Sequence, residues 1–253
     1  MNTGFELIAS CYDRFNSVSY EEYLAFFEKV LEKYSDIEVK EVLDLGCGTG
    51  NLTKLLCEKG FDVAAVDASE EMLDEASRCC EGKGVLFSCQ DMRDFELYGT
   101  VQATVCTYDC INYLLSEKDV EACFSLVNNY TEKGGIFLFD INTPYRYEEV
   151  FGDKAYVYED KGGMLVWQNS YNKKSGYCDF YLSYFERQRG GAYLRGDDVQ
   201  RQRRYQVSRI KKLLAKCGFE VLAVYGGTDC GEFTENSEKA YIVAKSVGGK
   251  AQG

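Results

Sequence analysis

From Glu41 to Asp140 the chain returns again and again to one unit: a short, continuously apolar run, a turn, then an amphipathic helical stretch. The pattern predicts strands over Val42–Leu45, Phe61–Val66, Val85–Cys89, Ala103–Tyr108 and Gly135–Asp140. Between them it predicts helices over Leu52–Glu58, Glu70–Cys80 and about Lys118–Tyr130, with Ser69 capping the second. A strand without polar alternation has no wet face. Strands of that kind, joined through helices, form a parallel sheet covered on both sides. Upstream, Tyr23, Phe26, Phe27, Val30, Leu31 and Tyr34 recur at helical spacing and predict one further amphipathic helix.

The texture changes after Pro144, the only proline of the chain. In residues 153–205 aromatic and β-branched residues alternate with polar ones between glycine-rich turns, which predicts antiparallel strands. The α/β pattern then resumes with a helix over Val207–Lys216, a stop at Gly218 and strands over Glu220–Tyr225 and Ala240–Lys245. The β-rich stretch is therefore an insertion. Residues 1–145 and 205–247 are expected to form one domain, 146–204 an inserted lid, and 248–253 a disordered tail.

Composition removes several chemistries. The 253 residues include no histidine, so histidine-based triads, general bases and metal sites are excluded. Twelve cysteines sit mostly within apolar runs and form no Cys-x-x-Cys pair, which reads as reduced, buried thiols and no metal. A formal charge of −12 argues against general nucleic-acid binding. No apolar run reaches the roughly 18 residues of a membrane span, and no signal sequence opens the chain; a cytoplasmic protein is expected, as a monomer or homodimer.

In the stretch "EVLDLGCGTGNLTKLL", Glu41–Leu56, three glycines follow a strand and precede a helix. The dinucleotide fingerprint would place its third glycine where Asn51 stands, and no Gly-Lys-Ser/Thr follows for a phosphate loop. Acids close successive strands instead. Asp44 precedes the turn, where a carboxylate repels pyrophosphate but suits an ammonium-bearing ligand. Asp67 stands 21 residues after Gly46, where an acid accepts hydrogen bonds from ribose hydroxyls. Asp91 can accept from an adenine amino group, with Met92 packing on the ring. Taken singly, Asp67 is equally a helix cap and Asp91 a loop cap. Together the three acids imply a ligand with an amino-acid end, a ribose and an adenine, and no phosphate. S-adenosylmethionine has that composition.

"VLDLGCGTG" (42–50), "AVDASEEML" (65–73), "CQDMRDF" (89–95) and "VCTYDCINYL" (105–114) in this order resemble the class I S-adenosylmethionine-dependent methyltransferases. The resemblance implies a Rossmann-like, seven-stranded, mostly parallel sheet with helices on both faces. It sets Gly46, Cys47, Gly48 and Gly50 against the methionine part, Asp67 on the ribose, Ala68 and Met72 beside the adenine with Asp91 and Met92, and Tyr108 and Asp109 beside the sulfonium. It also suggests Tyr12 and Tyr20 as cofactor contacts from the N-terminal helix, although both equally suit plain helix packing.

The inserted segment is similar to the lid of glycine and amino-sugar N-methyltransferases, which implies methyl transfer to a nitrogen or oxygen of a small molecule. Tyr12, Asp109 and Asn112 are the catalytic candidates; Tyr113, Asn142, Trp167 and Arg204 are the acceptor candidates. From Glu186 to Lys212 nine Arg/Lys stand against three acids, which raises an anionic acceptor clamped by Arg204, or simply a solvated face. An RNA or protein methyltransferase is the alternative, and a non-catalytic cofactor-binding scaffold a remote one.

Overall fold

The computed structural model describes residues 19–248. Helix α1 (Tyr20–Tyr34) starts at Ser19, whose hydroxyl accepts from the Glu22 amide, and buries Tyr23, Phe26, Phe27 and Val30. Then follow β1 (Glu41–Leu45), α2 (Asn51–Glu58), β2 (Asp62–Asp67), α3 (Glu70–Cys79), β3 (Leu86–Cys89), β4 (Val101–Cys106), α4 (Glu117–Tyr130) and β5 (Thr131–Asn142). A π-helical turn, Arg146–Phe151, leads into β6 (Ala155–Glu159), β7 (Gly163–Asn172), β8 (Tyr177–Arg187) and β9 (Tyr193–Arg203). The chain closes with α5 (Val207–Lys216), β10 (Phe219–Tyr225) and β11 (Lys239–Ser246). Ser69 caps α3 by accepting from the Met72 amide. Two strand boundaries differ from expectation: the fourth strand stops at Cys106, because Tyr108 and Asp109 leave the extended region for positive φ, and the fifth runs from Thr131 to Asn142, longer at both ends than Gly135–Asp140.

Seven strands form one sheet in the order β10-β11-β5-β4-β1-β2-β3. The pairs β1–β2, β1–β4, β2–β3 and β4–β5 are parallel, whereas β11 runs antiparallel to both β5 and β10. Both faces are buried, as the unbroken apolar runs require. On one face Leu43, Leu45, Phe137 and Phe139 pack under α4 and α5, with Phe137 and Phe139 stacked at 4.6 Å. On the other, Val42, Val63, Val105 and Leu138 meet Phe26, Phe27 and Leu56 of α1 and α2. Burying each such side chain contributes about 1.5–3 kcal/mol.

The inserted segment makes a separate four-stranded antiparallel sheet, β6-β7-β8-β9. One face is buried, through Leu165, Phe180, Leu182 and Tyr184, while Val157, Tyr181 and Val199 on the other are exposed. Phe151, Trp167 and Phe180 pack together between the π-helical turn and that inner face. Among the described residues no helix is long and apolar enough to cross a membrane.

Candidate active site

The strand order reverses at β1, with β2 and β3 on one side and β4 and β5 on the other. An α/β sheet opens a crevice at such a reversal, beyond the carboxyl ends of its strands. A cavity of about 1140 Å3 lies there, bordered at one end by the turn after β1 and at the other by the second sheet.

The turn is held by backbone. The Gly46 and Cys47 amides both donate to the Val66 carbonyl, at 2.7 and 3.1 Å. The Gly48 amide donates to Asp67 Oδ2 at 2.8 Å. Gly48 has φ +55°, and a Cβ there would project into open space on the cleft. A side chain at this point would occupy room that the turn leaves for a ligand. Gly50 has a different reason: its Cβ would lie 2.9 Å from Ala76, so glycine lets the turn pack against α3.

Asp67 accepts from the Ser69 amide at 3.0 Å as well as from Gly48. Burial pushes its pKa up, and these backbone donors oppose that rise. A carboxylate has about four acceptor positions, so Asp67 keeps capacity for hydroxyls in the cleft. Ala68, Met72, Asp91 and Met92 line the same end, and Arg93 pairs with Asp91 at 2.5 Å, holding that carboxyl below its usual range. Cys47 and Tyr20 also border the cleft, with the Tyr20 ring edge-on to Tyr108 at 5.1 Å. Tyr12 lies outside the described residues.

Beyond β4, Tyr108 and Asp109 are consecutive non-glycine residues in the left-handed region, at φ 55° and 57°. Such backbone persists only where its surroundings hold it. Asp140 supplies the hold: its two oxygens accept from the Tyr108 and Asp109 amides, at 2.7 and 2.9 Å. Lys239 then bridges Asp140 and Asp109, at 2.7 and 2.8 Å. Burial alone would depress the lysine, but the two carboxylates overcome it and raise its pKa. The remaining Asp109 oxygen accepts from Gln202 of β9 at 2.6 Å. Both Asp109 oxygens thus hold partners, Lys239 and the Gln202 side chain of the second sheet.

The second sheet supplies the other wall. Residues opposite one another on neighbouring strands share a face, so Trp167, Leu182 and Asp198 form one inward row and Asn169, Phe180 and Gln200 the next. Tyr113 donates to Gln200 at 2.8 Å, and Tyr147 to Gln202 at 2.8 Å. Tyr113 and Trp167 line the cleft.

Five of the expected residues sit elsewhere. Asp44 is fully buried below the turn, on the α2 face of the sheet, where Thr53 donates to it at 2.6 Å; burial pushes its pKa up to about 7. An ammonium in the cleft does not meet it. Gly50 packs on α3, as described. Asn112 donates to the Arg203 carbonyl and accepts from the Asn142 amide, both at 2.9 Å, so it joins β5 to the end of β9 and has no catalytic reach. Asn142 is buried and donates to Gln202 at 3.1 Å.

Arg204 does not line the cavity; it pairs with Glu148 at 3.1 Å, beside Gly176. Part of the basic window around it is also paired, Arg195 with Asp197, Arg201 with Asp179 and Arg209 with Glu117. Sequence reasoning missed Asp140, Lys239, Gln200, Gln202 and Asp198. Asp140 had a signal, as the acid ending "GIFLFD"; Lys239, 99 positions later, had none.

Residues 42–135 match a family described as a methyltransferase domain. A protein of Geobacillus sp. (strain WCH70) that bears a methyltransferase name is 31% identical over 244 residues, 95% of this chain and 99% of its own. The crystal structure of an S-adenosylmethionine-dependent methyltransferase from Clostridium acetobutylicum superposes with a TM-score of 0.87 at 28% identity, covering 97% of this chain and 99% of that one. Over 142 residues, 55% of this chain and 57% of its own, a dTDP-3-amino-3,4,6-trideoxy-alpha-D-glucopyranose N,N-dimethyltransferase of Streptomyces venezuelae is 27% identical. The glycine cradle open at Gly48, the free acceptor positions of Asp67 and the buried, unpartnered Tyr108 hydroxyl all fit a nucleoside that carries no phosphate. The chain belongs to the class I S-adenosylmethionine-dependent methyltransferases.

Proposed function

We infer that the acceptor is a small molecule, methylated on nitrogen, held between the turn after β1 and the inner face of the second sheet. The observation that carries this reading is the single cleft: Gly48, Asp67 and Asp91 border it together with Leu165, Phe180 and Leu182 of the second sheet. A roof of that kind admits a compact molecule and excludes water around it. Bound S-adenosylmethionine supplies a methyl group on a cationic sulfur. Gly48, Asp67, Asp91, Met92 and Ala68 are the residues that would hold it.

Nitrogen is favoured over oxygen by the engagement of Asp109 and Asp91, the carboxylates that follow β4 and β3. A hydroxyl acceptor needs a proton acceptor. Asp109 is engaged by Lys239 and Gln202, and Asp91 by Arg93. A neutral amine needs only an oriented lone pair. The Streptomyces relative, named for N,N-dimethylation of an amino sugar, supports the same direction. The net charge of −12 argues against RNA, which requires an open basic rim.

Incubation with methyl-labelled S-adenosylmethionine tests the reading, with amines, phenols, carboxylates, bulk RNA and denatured protein offered in parallel. Label is expected on small amines. Label on RNA or protein alone would sink the proposal, and label on phenols alone would move the chemistry to oxygen.

A further inference from the structure

Strand β9 presents three polar side chains at alternate positions of its inner face, Asp198, Gln200 and Gln202, and all three border the cleft. Two of them tie the second sheet to the first. Gln202 donates to Asp109 at 2.6 Å and accepts from Tyr147 at 2.8 Å, while Gln200 accepts from Tyr113 at 2.8 Å. Asp198, the next position outward, reaches no residue of the first sheet. Among the described residues its oxygens accept only from its own strand, from the Val199 amide at 2.8 Å and from Gln200 Nε2 at 3.2 Å.

Three of the other acids at the cleft have a cation, and Asp67 and Glu22, on β2 and α1, make no ion pair among the described residues. Arg93 neutralises Asp91, Lys239 neutralises Asp109 and Arg195 neutralises Asp197, whereas Asp198 makes no ion pair among the described residues. Its neighbours in the cross-strand row are apolar: Leu182 directly opposite and Trp167 one strand further, roughly 10 Å away at ordinary strand spacing. The Trp167 indole N–H is buried without a partner. A half-buried carboxylate beside an aromatic wall matches a cation with an apolar body: the carboxylate takes the charge, and the ring and Leu182 take the body.

We propose that Asp198 is the acceptor's specificity-determining contact, selecting molecules that carry a positively charged nitrogen next to an apolar surface. This rests on the small-molecule reading above. Gln200 and Gln202 hold β9 in place, so the carboxylate is presented from a strand fixed at two points. The preference is the reverse of the one the local excess of arginine suggests, because Arg195, Arg201, Arg204 and Arg209 each have a carboxylate partner, whereas Asp198 makes no ion pair among the described residues.

Trp167 is the only tryptophan, so its emission reports on this wall without any turnover. The full chain, saturated with S-adenosylhomocysteine, is titrated with phenethylammonium, 2-phenylethanol and phenylacetate, three probes with one aromatic body and different charge. The cation is expected to bind about tenfold more tightly than the neutral probe, and the anion more weakly still. Asp198→Asn should erase the difference between cation and alcohol, and Asp198→Glu should keep it, both with the parent's affinity for S-adenosylhomocysteine. Equal binding of the three probes, no binding of any, or a cation preference that survives in Asp198→Asn overturns the proposal. Because the readout is binding, a cation preference without methylation of any small molecule would leave Asp198 standing and remove the small-molecule reading instead.

Discussion

The two walls of the cleft are built by different means. The wall at the ends of β1, β2 and β3 is made of backbone and of carboxylates within a few residues of a strand end: Gly46–Gly48, Asp67 and Asp91. The wall at β4, β5 and the second sheet is made of side chains joined from far along the chain. Lys239 bridges Asp109 and Asp140, and Gln202 meets Asp109 across 93 positions. The first wall suits a ligand common to many proteins, because backbone geometry alters little when side chains change. The second can be re-specified by exchanging a few side chains without touching the turn. Damage should follow the same division: on the second wall it should reach stability, and on the first it should reach cofactor binding.

The largest effect should come from Lys239→Met. It leaves the buried carboxylate of Asp140 and the partly exposed one of Asp109 without their cation, a loss of about 3–5 kcal/mol in urea unfolding. Lys239→Arg should recover part of it. A loss below about 1 kcal/mol would mean that the ammonium does not hold the second wall.

Asp44 sharpens the comparison through pH. Its folded pKa of about 7 lies above the roughly 3.9 of an unfolded aspartate. Between those values the folded carboxyl holds a proton that the unfolded one has lost. The stability from this group is therefore complete below about pH 4 and falls as pH rises through 7. Asp44→Asn should remove that slope and be about 2–4 kcal/mol more stable than the parent at pH 8, relative to pH 4. Equal slopes in denaturation series of the two proteins would refute a buried, protonated Asp44.

Asp67→Ala tests the first wall. Its effect should fall on S-adenosylmethionine affinity, by about 1.5–3 kcal/mol in calorimetric titration, as hydroxyls lose a charged acceptor. Parent-like affinity would reduce Asp67 to a tether for the Gly48 and Ser69 amides. The smallest effect is expected at Arg204→Ala. Its pair with Glu148 is partly exposed and outside the cleft, so stability should change by no more than about 1 kcal/mol and kcat/KM not at all. A tenfold fall in kcat/KM would restore Arg204 to the acceptor wall.

The contrast between the walls also explains which residues were legible. Val42–Leu45 reads as a buried strand from its own composition, and Gly48 as a ligand-facing turn from its place after that strand. Asp67 and Asp91 follow from counting strand ends. Asn112 and Asn142 read as polar residues near the reaction, but the fold uses Asn112 on the Arg203 carbonyl and the Asn142 amide, and the Asn142 side chain on Gln202. Arg204 failed for a related reason. Charge summed along the chain takes no account of Glu148, Asp179 and Glu117, which lie outside the window and pair with Arg204, Arg201 and Arg209 in space.

By itself the sequence determined the parallel sheet, the inserted antiparallel one and the cofactor turn. Apolar periodicity and the freedom of glycine to take positive φ are properties of neighbouring residues, and they survive any packing. Tertiary structure alone decided that Lys239 belongs to Asp109 and Asp140, that Gln200 and Gln202 fasten the second sheet, and that Asp198 borders the cleft without a cation among the described residues. An ion pair or a cross-sheet hydrogen bond depends on distances of a few ångströms between residues up to 130 positions apart, and only the packing of the two sheets sets those distances.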